Sequence, residues 1–541
     1  MSNDSKRREF MKKLAVTAAM AVPAAALTSV AAEAQTPHQH EKAKDTKCCS
    51  FFNVMDFGAV PDGKTYCTPA IQKAIDTCAA AGGGRVIFPA GKYLTNALFL
   101  KSNVHVEVEA GATVFFTTDF DSVPTIEGRW EGIDRKVWAS LFTGLDLENV
   151  SITGQGTIDG QGQAWWDAFR KVKKMRREMG LTEREPENPA GAPLKYAGRP
   201  HMINLYRCKN ILISGIRVQN SPSWNIHPVL CENLVIDGVA IWAPADSPNT
   251  DGIDPDSCKN VRISNCTISV GDDCIVIKSG YKYAETGVSS ENIAVTNCVF
   301  YAGHCGVGIG SETSGGVKNV VASNCICDGT DHGLRFKTAR TRGRWVENVR
   351  ASNWVMRNVG ISMIVTGFYT GGDIHEKKPV DKYTPVIRNI HLSEIVIEGG
   401  GKAAVIEGLP ELPAESLSIC NVVATGTKTG MTCDNVNGMV FDNIVCDPLK
   451  GPALAVNTVD NLEVYRFTSR KPNSGVPVIS LQNVNNGVVE SSTASEGTGT
   501  FLEVKGDSNK DLSLMCNRLS RATKEVEFTG GANESAIVKK V

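Results

Sequence analysis

The sequence predicts an all-β fold, a parallel β-helix in which short strands stack coil upon coil. Three observations predict it: a short phrase that returns along the chain, the spacing between its copies, and columns of identical residues at fixed offsets from it. The phrase is a charged residue, an Asn and a branched aliphatic residue, as in "ENVSITG" and "KNVRISN". Its Asn residues are Asn149, Asn210, Asn233, Asn260, Asn292, Asn319, Asn348 and Asn389. Copies from Asn210 to Asn348 follow one another at 23 to 32 residues, which indicates a solenoid, because WD-type propellers repeat at about 40 residues or more.

The columns are Asn and Cys residues that keep their distance from the repeated phrase. They are Asn265, Asn297, Asn324 and Asn353; Cys266, Cys298 and Cys325; and Cys208, Cys231 and Cys258. Stacked Asn side chains can hydrogen-bond from coil to coil, and stacked Cys behave as small buried apolar groups. Disulfides are the alternative for the 17 cysteines of an exported chain. Metal binding is disfavoured, since no CxxC pair recurs with matching His.

The first 34 residues have the pattern of a signal peptide. A charged stretch, "KRREFMKK", precedes an Ala-rich apolar segment and the small residues "AEA" before Gln35. Arg7 and Arg8 favour the twin-arginine type, with an ordinary secretory signal as the alternative and a retained anchor disfavoured. We therefore expect export to the periplasm or the cell exterior, with residues 35–50 as a flexible mature N-terminus. The net charge of -1 excludes a global attraction to nucleic acid or membrane.

Residues 51–541 are predicted to form a single β-helix domain. A helix from about Cys67 to Ala81 is expected to cap its N-terminal end, as terminal units of solenoids commonly do. Between Asn149 and Asn210 the spacing grows, and a charged helical insertion is predicted at about 161–198, with "AWWDAFRKVKKMRREMG" as the helix. Its basic side is either a solvated face or a surface that holds an acidic ligand. The chain after about Lys450 is interpreted as the last coils.

Polar residues recur near the second strand of several consecutive coils, and stacking predicts that they share one face. They are His227, Asp251, Asp272, Asp273, His304, Arg335 and Lys337. Arg335 and Lys337 are two apart and therefore point to the same side of a strand. Such a row costs stability, which favours a function. A structural row neutralised by its cations and a Ca²⁺ site are the alternatives; His304 and the two cations disfavour the metal, so no cofactor is predicted.

Hydrolysis of a glycosidic bond needs this combination of groups. One protonated carboxyl donates to the leaving oxygen, and one carboxylate activates water. Crowding raises the pKa of one acid, so that acid and base coexist near neutral pH. The two cations would bind a substrate carboxylate, which indicates a polyuronic acid.

Four segments carry a resemblance to a known family. "NTDGID" (249–254), "GDDC" (271–274), "GHCGVGIGSE" (303–312) and "RFK" (335–337) resemble, in order and spacing, the signatures of the polygalacturonases, glycoside hydrolase family twenty-eight. The similarity extends from about Asn53 to Gly438, and "NVMDFGAVPDG", "RWEGI" and "NSPSWNIHPVLCENL" are similar to bacterial members. The resemblance implies a right-handed parallel β-helix that hydrolyses α-1,4 galacturonosyl linkages of pectin with inversion.

The resemblance also implies residue roles. Asp272 would be the general acid, and Asp251 and Asp273 would position and activate the water. His304 would tune the acid. The expected substrate-binding residues are Arg335, Lys337, Asn249 and Tyr369, to which the row alone adds His227. Cys305 and Phe336 stand where the family has Gly and Ile, which could alter subsite shape.

Exo-action on an acidic plant cell-wall polysaccharide or oligogalacturonide is favoured, because "RWEGI" and the insertion could wall off one end of the cleft and exo-acting bacterial members are most similar. Endo-action is the alternative. Other readings are a hydrolase of rhamnogalacturonan or substituted pectin side chains, a Ca²⁺-dependent pectate lyase, and a non-enzymatic carbohydrate-binding solenoid. The last does not explain three acids in one row.

Overall fold

The structure is a computed structural model that describes residues 50–181, 187–282 and 287–540. The predicted signal peptide (1–34) and residues 35–49 lie outside the described residues. Within them, helices that combine the length and the apolar character needed to cross a membrane are absent.

Strands dominate the described chain, which also holds two α-helices, α1 (Thr68–Ala80) and α2 (Gly162–Glu178). The strands of the N-terminal coils are β1 (Phe51–Asn53), β2 (Asp62–Tyr66), β3 (Gly84–Phe88), β4 (Gly91–Thr95), β5 (Leu98–Phe99), β6 (Val104–Val108), β7 (Ala112–Phe116), β8 (Thr125–Trp130), β9 (Ile133–Trp138), β10 (Phe142–Leu145), β11 (Glu148–Gly154) and β12 (Thr157–Asp159). Those of the central coils are β13 (Ile203–Tyr206), β14 (Lys209–Ser214), β15 (Arg217–Gln219), β16 (Ile226–Val229), β17 (Glu232–Asp237), β18 (Ala240–Trp242), β19 (Lys259–Ser264), β20 (Thr267–Ser269), β21 (Asp273–Ile277), β22 (Ser290–Thr296), β23 (Val299–Phe300), β24 (Cys305–Ile309), β25 (Val317–Asp328), β26 (His332–Lys337), β27 (Trp345–Arg357) and β28 (Ile361–Thr366). Those of the C-terminal coils are β29 (Val386–Glu398), β30 (Lys402–Glu407), β31 (Ala414–Thr425), β32 (Thr429–Asp447), β33 (Lys450–Ser469), β34 (Ile479–Glu490), β35 (Thr493–Ala494), β36 (Thr500–Lys505), β37 (Lys510–Met515), β38 (Lys524–Thr529) and β39 (Ile537–Lys540).

The strands pair in parallel with their counterparts one coil away, as in β14–β17–β19–β22 and β21–β24–β26–β28. Only the β8–β9 hairpin is antiparallel among the strand pairs of the described residues. Buried and exposed residues alternate along most outer strands, so that each coil adds its inward side chains to one continuous core. The predicted right-handed parallel β-helix is confirmed.

The Asn of the repeated phrase forms a ladder along the solenoid. Each of the eight predicted Asn residues has a φ of 55 to 60°, the left-handed region that Asn tolerates better than most residues. Each Nδ2 donates to the Oδ1 of the preceding rung at 2.6 to 3.1 Å, from Asn149 on Asn103 to Asn389 on Asn348. One residue type therefore supplies both the turn and the link. In the column for which the sequence predicts coil-to-coil Asn bonds, Asn297 donates to Asn265 at 3.4 Å and Asn353 to Asn324 at 2.8 Å, whereas Asn324 donates to Thr296 Oγ1.

The fifteen cysteines of the described residues are free. Cys208, Cys231 and Cys258 are buried one above the other, as are Cys266, Cys298 and Cys325. The buried, apolar interpretation of these columns is therefore confirmed.

Helix α1 buries Ile71, Ala74 and Ile75 at the N-terminal end of the core, which confirms the predicted capping helix. Helix α2 lies within the segment for which the sequence predicts an insertion, and it buries Trp165 and Trp166.

On the basic side of α2, Arg170 and Arg176 are engaged in contacts, and Lys171, Lys173, Lys174 and Arg177 are exposed. Arg176 is buried and donates to Asn188 Oδ1 at 3.0 Å. Arg170 pairs with Asp167 and with Asp246. These contacts tie the helix to its surroundings.

Candidate active site

The site lies where β21, β24 and β26 stack, with Ile275, Val307 and Leu334 aligned in the core. Ile253 pairs with Ile275 and adds the preceding coil. Polar residues flank these apolar positions and border a cleft of about 270 Å³. Its lining consists of Glu131, Trp224, Asn249, Asp251, Asp272, Asp273, Lys278, Ser311, Glu312, Lys337, Arg342 and Tyr369.

Asp273 is a buried carboxylate held by two cations from β26. Lys337 Nζ donates to its Oδ2 at 2.6 Å, and Arg335 Nη1 lies 3.5 Å from its Oδ1. Burial would raise the pKa of Asp273, but Lys337, Arg335 and Lys278 together hold that pKa well below its usual value. Asp273 is therefore ionised over the whole physiological range.

Asp272 points the other way and meets His304 from the next coil. His304 Nδ1 lies 2.9 Å from Asp272 Oδ1, and the imidazole is half exposed. The hydrogen bond to Asp272 raises the pKa of His304 above its ordinary value, although burial opposes this. Asp272 and Asp273 are adjacent in the chain but have different environments. Asp273 is enclosed by cations, whereas Asp272 is open to the cleft.

Asp251 is buried on the coil before β21, with Lys278 Nζ 3.8 Å from its Oδ2. Burial, reinforced by the charge of Asp272, raises the pKa of Asp251 well above its usual value, while Lys278 opposes that rise. Burial therefore favours the protonated form of Asp251, and Lys278 favours the ionised form.

The sequence reasoning missed several cleft residues, among them the charged Lys278, Glu312 and Arg342. Lys278 Nζ lies 3.4 Å from Glu312 Oε2, and Arg342 Nη1 lies 3.1 Å from Glu312 Oε1. Glu312 is the last residue of the quoted segment "GHCGVGIGSE", and Lys278 lies four residues after the end of "GDDC". The sequence signal for Lys278 is its position at the end of the apolar run "CIVIK".

Asn249 and Tyr369 both line the cleft. Asn249 Oδ1 accepts a hydrogen bond of 2.7 Å from the buried Arg199. The ring of Tyr369 lies 5.3 Å from Lys337 Nζ and 5.9 Å from the Arg335 guanidinium. The structure thus brings both residues beside the carboxylates and cations of β21 and β26.

His227 does not lie in the cleft, which corrects its predicted contact with substrate. Its side chain is fully buried, and its Nδ1 lies 3.1 Å from the Nδ1 of His201. The rings of His201 and Trp224 pack edge-on against it. Burial and the nearby charges lower the pKa of His227 far below its usual value, so a neutral imidazole supports Trp224 from behind.

In the part of the chain that the structure describes, one group of side chains has the spacing of metal ligands. Asp272, Asp273 and His304 each offer a ligand atom within 4.8 Å of the others. Asp273 is already neutralised by Lys337 and Arg335, so the donor set suits a divalent cation poorly.

The β8–β9 hairpin closes over one part of the site. At its tip Gly132 O accepts a hydrogen bond of 2.9 Å from Tyr281 N, and a Cβ at Gly132 would lie only 2.8 Å from that nitrogen. Close to the tip, where Arg129 and Asp134 are paired across the hairpin, the buried Arg129 bridges Asp134 and Asp256 at 2.8 and 3.0 Å. The hairpin therefore packs closely on the coil of β21 and places Glu131 in the cleft lining.

The fold and the site together define a β-helical protein with an acid–base cleft. Comparison with known proteins gives the family. The model of the family described as "Glycosyl hydrolases family 28" matches residues 187–446. The model of the family described as "Rhamnogalacturonase A/epimerase, pectate lyase-like" matches residues 51–107. A probable polygalacturonase from Vitis vinifera is 34% identical over 403 residues, covering 72% of this chain and 77% of that protein. The chain belongs to glycosyl hydrolase family 28.

Other relatives and structures agree. An endo-polygalacturonase from Pectobacterium carotovorum subsp. carotovorum is 33% identical over 56% of this chain and 72% of its own length. The structure of an exopolygalacturonase from Thermotoga maritima is similar with a TM-score of 0.63 and 32% identity, over 73% of this chain and 91% of that one. A family 28 exopolygalacturonase from Yersinia enterocolitica shares the fold, with a TM-score of 0.60 and 23% identity over 81% of this chain and 78% of that one.

Proposed function

We propose that this protein hydrolyses the α-1,4 galacturonosyl linkages of pectin or polygalacturonate by an inverting acid–base reaction. The observation that carries the proposal is the grouping of three carboxylates beside two cations in one cleft. Relatives named polygalacturonase support the choice of substrate. The predicted signal peptide supports export to the periplasm or the cell exterior, where the protein would encounter such polysaccharides.

In the proposed reaction Asp272 gives a proton to the leaving glycosidic oxygen. The Asp272–His304 hydrogen bond of 2.9 Å holds the Asp272 carboxyl beside the cleft, where the proton is to be delivered. Asp251 and Asp273 position and activate the water that attacks the anomeric carbon. Environments that differ between neighbouring carboxylates are what separates an acid from a base.

Arg335 and Lys337 are proposed to bind the carboxylate of a galacturonate unit. The Arg335 side chain is 20% exposed and that of Lys337 only 6%, so Arg335 makes the direct contact while Lys337 mainly holds Asp273. Asn249 and Tyr369 line the same region and would contact the sugar. Guanidinium–carboxylate pairing favours a uronate over a neutral sugar.

The proposed mode is release of galacturonic acid units from chain ends. The hairpin supports this, because it contacts Tyr281 and Asp256 and places Glu131 in the cleft lining, where we propose that it forms a wall. Similarity to a structure named exopolygalacturonase supports it too. An endo-acting relative of similar identity keeps internal cleavage as the alternative.

Product analysis on polygalacturonate, digalacturonate and rhamnogalacturonan tests the proposal. We expect reducing ends to accumulate with little loss of viscosity, and galacturonic acid as the first product. Rapid viscosity loss would establish internal cleavage instead. Proton NMR of fresh product should show an inverted anomeric centre; retention would refute the water-activating roles. An unsaturated product absorbing in the ultraviolet would indicate a lyase, and turnover of rhamnogalacturonan alone would favour the alternative hydrolase.

A further inference from the structure

We propose that Lys278 is a positioning residue that favours the ionised form of Asp251 against the effect of burial and orients it as part of the water-activating pair. The inference rests on the proposed function and deepens it. Lys278 does not belong to the groups that the reaction scheme above uses, yet its side chain ends among them.

The residues around Lys278 enclose its side chain and fix the position of its ammonium group. It follows β21 directly, and its side chain is only 6% exposed. Its Nζ lies 3.8 Å from Asp251 Oδ2, 3.4 Å from Glu312 Oε2 and 4.8 Å from the centre of the Trp224 ring. The ammonium is therefore held between two carboxylates and an aromatic face, each from a different segment of the chain.

Asp251 needs such a cation because its side chain is 4% exposed. A buried carboxylate without a counter-charge takes up a proton, and a protonated Asp251 cannot accept one from water. Asp273 has Lys337 and Arg335. Among the described residues, the salt bridge recorded for Asp251 is the one with Lys278.

The charges that surround this pair come from every element packed against it. Acidic groups are Asp254 on the same coil, Asp272 and Asp273 at β21, Glu312 after β24 and Glu131 at the hairpin tip; basic or titratable groups are Lys337, Arg342, Arg129 and the buried His227. The acids outnumber the cations nearest to Asp251. Burial lowers the pKa of Lys278, but Glu312, Asp254 and Asp251 raise it far above its ordinary value, so the lysine stays charged throughout the working range.

The expected effect is a displaced pH profile. The acid limb of kcat/KM reports the pKa of the base in the free enzyme. Loss of the Lys278 charge makes Asp251 bind its proton more tightly, so the limb in Lys278→Met moves to higher pH by about one unit, roughly tenfold in rate on that limb. Lys278→Arg keeps the charge and should keep the limb near its original position.

The experiment measures kcat and KM on polygalacturonate from pH 3 to pH 8 for wild type, Lys278→Met, Lys278→Arg and Lys318→Met. Lys318 pairs with Glu291 on an outer strand, and its variant is the matched control, expected to reproduce the wild-type profile. Circular dichroism checks the fold of each protein, and Lys278→Gln replaces Lys278→Met if the latter does not fold.

An upward shift of the acid limb in the uncharged variant, reversed by arginine, supports the inference. An unshifted limb overturns it, whether activity is retained or uniformly reduced. A raised KM with an unchanged limb also overturns it and assigns Lys278 to direct contact with substrate. Wild type that releases no galacturonate would instead remove the proposed function itself, so the two failures are distinguishable.

Discussion

Replacement of Lys337 by Met tests the buried ion pair beneath the cleft. Lys337 Nζ lies 2.6 Å from Asp273 Oδ2, and the two side chains are 6% and 2% exposed. Loss of one member of a buried pair leaves an uncompensated charge and costs about 3 to 5 kcal/mol. Arg335, 3.5 Å from the other oxygen, retains part of the compensation. We therefore expect Lys337→Met to lower the free energy of unfolding by about 3 kcal/mol, the lower end of that range.

The matched control is Arg335→Gln. Its ion pair is longer and its side chain more exposed, so we expect a loss of about 1 kcal/mol or less. Urea unfolding at pH 7, followed by circular dichroism, gives both values, and equal slopes against urea are required for the comparison. Equal losses in the two variants would refute the view that Lys337 is the main partner of Asp273.

The pH dependence supplies a second test. The pKa of Asp273 in the folded protein lies below its usual value, so the stabilisation is present above the unfolded pKa of about 3.9 and is lost as pH falls toward the folded pKa. The gap in stability between wild type and Lys337→Met should therefore narrow below about pH 4. A gap that stays constant from pH 6 to pH 3 contradicts the reasoning.

Three further predictions concern the acid, the metal and the ladder. Asp272→Asn should abolish hydrolysis while the circular dichroism spectrum is unchanged; near-normal activity would remove the proposed acid. Activity should survive a chelator, because Lys337 and Arg335 already neutralise Asp273, and a loss restored by Ca²⁺ would count against that. Asn292→Ala should cost about 2 kcal/mol or more in urea unfolding, since it removes two ladder bonds and forces Ala to a φ of 59°. Asn292→Gly, which tolerates that φ, should cost less, and the reverse order would contradict the role given to the turn.

The fold was predictable because each coil repeats the same short sequence phrase at a similar spacing. The Asn of each coil must adopt a left-handed conformation and bond to the next rung, so the same residue returns at each turn. Asp251, Asp272 and His304 could be aligned for the same reason: once coils stack, residues near the same corner become neighbours.

His227 shows where that reasoning stops. The alignment assumed that the outer face of every coil is open, whereas all four residues of β16 are buried. Trp130 of the β8–β9 hairpin stacks on His201 and Trp224, and those two rings enclose His227. Packing of a hairpin against a coil far along the chain has no signature in the repeat. Lys278 was not predicted as a site residue, because a lysine that ends an apolar strand is usually solvated, whereas this lysine is buried.

A catalytic protein needs a stable scaffold and a cleft whose walls can change, and the Asn ladder separates these two requirements. Consecutive rungs are as close as 23 residues apart and as far as 61, yet the hydrogen bonds that join them stay between 2.6 and 3.1 Å. Chain can therefore be added or removed between rungs without disturbing the stack, and the 61-residue interval contains α2 and Arg199, which donates to Asn249 in the cleft lining. A scaffold of this kind can acquire new cleft walls, and with them new substrate lengths, while the carboxylates remain in register.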